Sequence, residues 1–125
     1  MRKVFAIAIV LVAASMALAF EGSVKLKGYV IDNACSARAA GDDGAAKVKA
    51  HTVKCAQMPS CAKSGYALYA DGKLYKFDDA GNKLVADVLK NTKTERGLSV
   101  SVEGTVDGET IHATKVEESK GDDMK

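Results

Sequence analysis

The segment HTVKCAQMPSC places one histidine and two cysteines within eleven positions, and a third cysteine, Cys35, stands upstream in DNAC. These are borderline and soft donors. Thiolate with imidazole suits zinc, and thiolate suits Cu(I), to which Met58 could add a thioether. Cys35, His51, Cys55 and Cys61 together make a Cys3His set, a legitimate closed tetrahedral zinc arrangement. Their spacing matches no standard zinc finger or ribbon. The competing reading is covalent. Exported cysteines are usually oxidised, and three cysteines allow three single bridges: 35–55, 35–61 and 55–61. A bridge from Cys35 to Cys55 or Cys61 would close a loop of about twenty residues, worth roughly 3 kcal/mol in the chain-entropy model. One thiol would then remain, free to be buried, to pair with another molecule or to bind a ligand. A thiol-redox role is the third reading. It is weakened because Cys55 and Cys61 are too far apart for C-x-x-C and no βαβ pattern surrounds them.

The other polar residues carry less. Asp32, beside Cys35, reads as a strand-end turn, with a supporting contact to His51 as the alternative. His112 alternates with Ile111 in the last strand pattern and should point to solvent. Asp78, Asp79 and Asn82 read as a turn and helix cap, since no glutamate completes a calcium loop. Tyr29, Tyr66, Tyr69 and Tyr75 offer a stacking surface, but core or rim packing is the simpler expectation. The chain has no G-x-S-x-G, no H-E-x-x-H and no glycine-rich phosphate loop. A binding domain is therefore expected, not an enzyme.

The N-terminus sets the compartment. Arg2 and Lys3 precede an apolar run, Val4 to Leu18, broken by Ser15, and Ala17-Leu18-Ala19 is a small-x-small triplet. This is the pattern of a signal peptide cleaved after Ala19. The run is short for a membrane span, so a periplasmic or secreted protein without a stable membrane anchor is expected. The chain has 18 Lys and Arg against 16 Asp and Glu. Loss of Arg2 and Lys3 brings the two into balance. A neutral domain without tryptophan has no electrostatic footprint for nucleic acid. A metal ion or a protein remains as the expected partner.

The elements that must position these donors follow from periodicity. SVKLKGYVI, 23–31, alternates as a half-buried strand. A loop at 39–45 leads to a helix over 45–57, on which His51 and Cys55 share a face. Pro59 ends it. Residues 66–70 and 73–77 form a hairpin about Asp71-Gly72, whose type I′ turn needs positive φ angles. Asn82 should cap a helix over 83–91 whose apolar face is Leu84, Val85, Val88 and Leu89. Strands at 98–106 and 111–116 follow, joined at Asp107-Gly108. Five strands with a helix between the third and fourth specify a mainly β (α+β) fold. It is a small five-stranded OB-like barrel with a Cys/His helical insertion after strand 1. The expected organisation is a signal peptide at 1–19, one domain at 20–117 and a disordered tail at 118–125.

GYVIDNAC, HTVKCAQMPSCAKSGYALYADGKLYKFD and LSVSVEGTVDGETIHATKVEE together resemble a group of small exported bacterial domains of unknown function. Asp32, Cys35, His51, Cys55 and Cys61 carry the specific part of the likeness. The resemblance implies a periplasmic address and an OB-like fold, and it lends no activity.

Overall fold

The computed structural model describes residues 23–119. The expected signal peptide therefore lies outside the described residues. Among those described, no helix is long and apolar enough to cross a membrane. Five strands close into a barrel: β1 (Ser23–Asp32), β2 (Tyr66–Ala70), β3 (Lys73–Phe77), β4 (Ser99–Asp107) and β5 (Thr110–Glu118). Their order around the ring is β1-β2-β3-β5-β4, with β4 returning to β1. All pairings are antiparallel except β3 with β5, where Lys76 faces Thr110 and Phe77 faces Ile111. This is the expected OB-like barrel. Closure leaves neither edge of the short sheet unpaired.

The strands hold because their period-two patterns agree on one interior. Val30, Leu68, Phe77, Val100, Val102 and Ile111 point inward and are almost wholly buried. The β2–β3 hairpin turns at Asp71 and Gly72, with φ of 50° and 76°. A type I′ turn requires both angles, and only glycine and short polar residues adopt them at low cost. The second turn differs from expectation. Asp107 pairs with Thr110, so Gly108 and Glu109 make the connection and Asp107 still belongs to the strand.

One longer helix packs against β5 and β3. It runs Asp79–Asn91 and packs Val85 and Leu89 into the core. Its cap is Asp78, whose Oδ1 accepts from the Gly81 N–H at 2.8 Å. Asn82, the expected cap, instead accepts the Tyr66 N–H at 2.9 Å through Oδ1 and ties this helix to β2. Asp78 wins because its own backbone is extended, with φ −71° and ψ 178°, which is the cap geometry. The final strand also runs further than expected. It reaches Glu118, and the Ser119 N–H donates to the Ser99 carbonyl at 2.9 Å.

The insertion between β1 and β2 is four short α-helices, α1 (Asn33–Ser36), α2 (Gly44–Ala50), α3 (Val53–Ala56) and α4 (Pro59–Lys63), with a 3-10 turn (Ala37–Ala39) between the first two. The helix Asp79–Asn91 is therefore α5. The single helix expected over 45–57 is broken at His51 and Thr52. His51 is extended, with φ −67° and ψ 130°, and the Thr52 hydroxyl accepts the Cys55 N–H at 3.1 Å to start α3. A threonine whose side chain can take a backbone N–H favours a new cap over continuing a helix. Pro59 does not merely stop a helix; it occupies the first turn of α4, where its missing N–H costs nothing. The insertion is seated by a second small core, in which Ala39 and Val48 pack on Ile31 and Ala67 from the outer barrel face.

Candidate metal centre

Asp32 ends β1 and is wholly buried, at 0% side-chain exposure. Its Oδ2 accepts the Cys35 N–H at 2.9 Å, which starts α1 and fixes Cys35 one helical turn beyond the strand. The carboxylate thus does the turn work expected of it, with one oxygen. The other oxygen, Oδ1, lies 2.9 Å from His51 Nε2.

His51 arrives from the opposite side. Its extended backbone is gripped by the segment after α5: the Gly97 N–H donates to the His51 carbonyl at 3.0 Å, and the Val53 N–H donates to the Glu95 carbonyl at 2.9 Å. Gly97 holds φ +60°, and a Cβ there would come within 2.7 Å of the Lys49 carbonyl oxygen. Only glycine combines that backbone with that approach. Gly97→Ala is expected to cost about 1–3 kcal/mol and to loosen His51. Urea unfolding would give the loss, and the His51 ring signal in NMR would broaden.

Cys55 follows one turn into α3. The ligand atoms of Asp32, Cys35, His51 and Cys55 all lie within 4.8 Å of one another. His51 and Cys55 do meet, although no common helix presents them. Cys61 is not in this group. It is buried in α4, close enough that Asp32 and Cys55 both act on it electrically. The group whose potential ligand atoms converge is thus two thiols, an imidazole and a carboxylate, and the expected third thiol, Cys61, lies beside it. Asp32 was legible as a neighbour of Cys35. Its membership was not, because a capping aspartate at a strand end has an ordinary structural use.

No protein-family model, curated protein or solved structure matches the chain.

The electrostatics of the cluster suit a cation. Asp32 Oδ1 and His51 Nε2 are buried and face each other at 2.9 Å, in ion-pair range but without the geometry of a hydrogen bond. Atoms ligating one tetrahedral zinc at about 2.0 Å sit about 3.3 Å apart, so a slight opening of this pair admits an ion. The Cys35 thiol is pushed up to about 12, by burial first and then by the Asp32 carboxylate. Burial and Asp32 also raise Cys61 and Tyr66. Without a cation, the pocket keeps its Cys35 thiol protonated.

That proton must leave when a metal binds. Below the raised Cys35 value, each unit of pH increase therefore strengthens binding by about tenfold or more. Zinc affinity is expected to climb steadily from pH 6 to pH 8, and competition with a chromophoric chelator at several pH values would show it. A flat profile would mean that Cys35 is not a ligand.

A cavity of about 390 Å³ reaches the cluster from solvent, lined by Ile31, Cys35, Arg38, Lys47, Ala50, His51 and Cys55. It supplies an entry path. Zinc held by two thiolates, a carboxylate and a neutral imidazole carries one net negative charge, and Arg38 and Lys47 stand where they would offset it. All three cysteines are free thiols.

Proposed function

We propose that this chain is an exported, non-catalytic domain that binds one borderline metal ion through Asp32, Cys35, His51 and Cys55. The observation that carries the reading is the convergence of four potential donor atoms within 4.8 Å, two of them buried and facing each other at 2.9 Å. Zinc is the favoured ion. A carboxylate in place of a third thiolate hardens the donor set, whereas Cu(I) prefers sulfur throughout. Copper is the runner-up. Export follows from the leader pattern at residues 1–19, and the resemblance to small exported bacterial domains agrees with it.

The second reading rests on the same geometry. Cys35 and Cys55 place their sulfurs within 4.8 Å of each other, so a 35–55 bridge is within reach of a small backbone movement. Such a bridge would remove two of the four donors and leave a disulfide-stapled interaction domain with one free thiol. Native mass spectrometry of the exported protein, with a thiol count on the denatured sample, separates the two. One zinc per chain with three free thiols supports the metal domain. A mass two daltons low, one free thiol and no metal uptake after mild reduction would overturn it.

A further inference from the structure

Cys61 is the one thiol that the zinc set leaves unused, and it is buried. Its helix, α4, packs against both α1 and α3, which carry Cys35 and Cys55. At the start of α4 the Met58 N–H donates to the Cys55 carbonyl at 3.1 Å. At its end the Ala34 N–H donates to the Ser64 hydroxyl at 3.1 Å, and the Asn33 side-chain amide donates to the Ser64 carbonyl at 2.9 Å. Three short helices, tied at these points, thus bring one cysteine each to the end of β1. The sulfurs feel one another. Burial, and then the Asp32 carboxylate and Cys55, hold the Cys61 thiol above its ordinary value. Cys61 and Cys55 act in the same direction on Cys35.

We propose that the same cluster also takes Cu(I), through a different donor set, the thiolates of Cys35, Cys55 and Cys61, a step that rests on the metal reading above. The ion chooses its ligands by softness. Cu(I) takes sulfur, whereas borderline zinc accepts imidazole and carboxylate. Cu(I) needs neither Asp32 nor His51, so their contact at 2.9 Å stays as it stands. Zinc must open that contact. Keeping the buried carboxylate beside its imidazole avoids leaving a charge without a partner. One movement closes the sulfur triangle. Cys61 lies outside the group whose atoms converge within 4.8 Å, so it turns inward on its five-residue helix. As the ion enters, three Cu–S bonds form and the thiol protons leave to solvent; no electron moves. The cavity that opens on Cys35 and Cys55 is also lined by Arg38 and Lys47. Lys47 is shared with Asp43 at 3.1 Å, which leaves Arg38 as the main counter-charge to a three-thiolate copper centre.

The test uses the reduced exported protein under an oxygen-free atmosphere. Cu(I) is supplied as its bicinchoninate complex, and zinc is titrated against a chromophoric chelator. Cys61→Ser should weaken Cu(I) binding at least about tenfold and leave zinc affinity unchanged. Asp32→Asn should do the reverse. X-ray absorption on the wild type, which depends on no variant folding, should find sulfur alone around copper and sulfur mixed with nitrogen and oxygen around zinc. Nitrogen or oxygen in the copper shell would overturn the proposal. So would unchanged Cu(I) affinity in Cys61→Ser, or equal loss of both ions in that variant with its circular dichroism intact. The two metal readings fail separately. Wild-type protein that binds zinc but draws no Cu(I) from bicinchoninate sinks the three-thiolate set and leaves the zinc site standing, and uptake of neither ion sinks both.

Discussion

Zinc at a thousand times its dissociation constant is expected to stabilise the reduced protein by about 4 kcal/mol, because an ion bound only by the folded state shifts the unfolding equilibrium by mass action. For a domain of this size the melting temperature should rise by roughly 15–30 °C. Differential scanning calorimetry with and without zinc, under a thiol reductant that does not chelate metal, measures it directly. The single variants then rank the donors. Asp32→Asn, Cys35→Ser, His51→Ala and Cys55→Ser should each abolish most of the shift. Cys61→Ser should preserve it, since Cys61 lies outside the group whose donor atoms converge. If Cys61→Ser loses the shift and Asp32→Asn keeps it, the Cys3His set drawn from spacing is the right one. Asp32→Asn is the most informative variant. Its amide oxygen can still accept the Cys35 N–H, so the α1 cap survives while the charged donor is lost.

The second large effect concerns the seat of the insertion. Val48 is fully buried, at 0% exposure, between α2 and the outer barrel face. Val48→Asp would place an unpaired carboxylate there, at a cost of about 3–5 kcal/mol. The main barrel core contains neither Val48 nor its packing partners. The expected result is therefore local: α2 detaches, His51 is no longer presented, and zinc affinity falls by at least about a hundredfold. Far-UV circular dichroism should retain the strand signal. Amide exchange should accelerate in residues 44–56 while β4 and β5 stay protected. Global unfolding at room temperature would show instead that the insertion and the barrel form one cooperative unit.

Much of this molecule was legible in the chain because its determinants are local. The β2–β3 hairpin is written in Asp71-Gly72 and in the alternation on either side. Strand patterns of period two placed all five strands to within a few residues. The element order, with a helix between the third and fourth strands, specified the closed OB-like barrel. The candidate donors Cys35, His51 and Cys55 were legible by residue type, as soft and borderline donors, although the same cysteines read equally as a disulfide.

The tertiary structure decided the rest. A period cannot show that Thr52 would take the Cys55 N–H and break the helix, because that choice depends on the 95–97 segment gripping His51 from outside. Nor could spacing rank Asp32 against Cys61. Cys61 is nearer to Cys55 in sequence, but α4 leaves it beside the convergent group and outside it. Asp32 is distant from His51 along the chain, yet the end of β1 holds its second carboxylate oxygen 2.9 Å from the imidazole. The physical reason is the same in both cases. Which donors meet is fixed by how the insertion packs back onto the barrel, through Val48 on Ile31 and Gly97 on Lys49, and contacts between distant segments leave no mark in a local pattern.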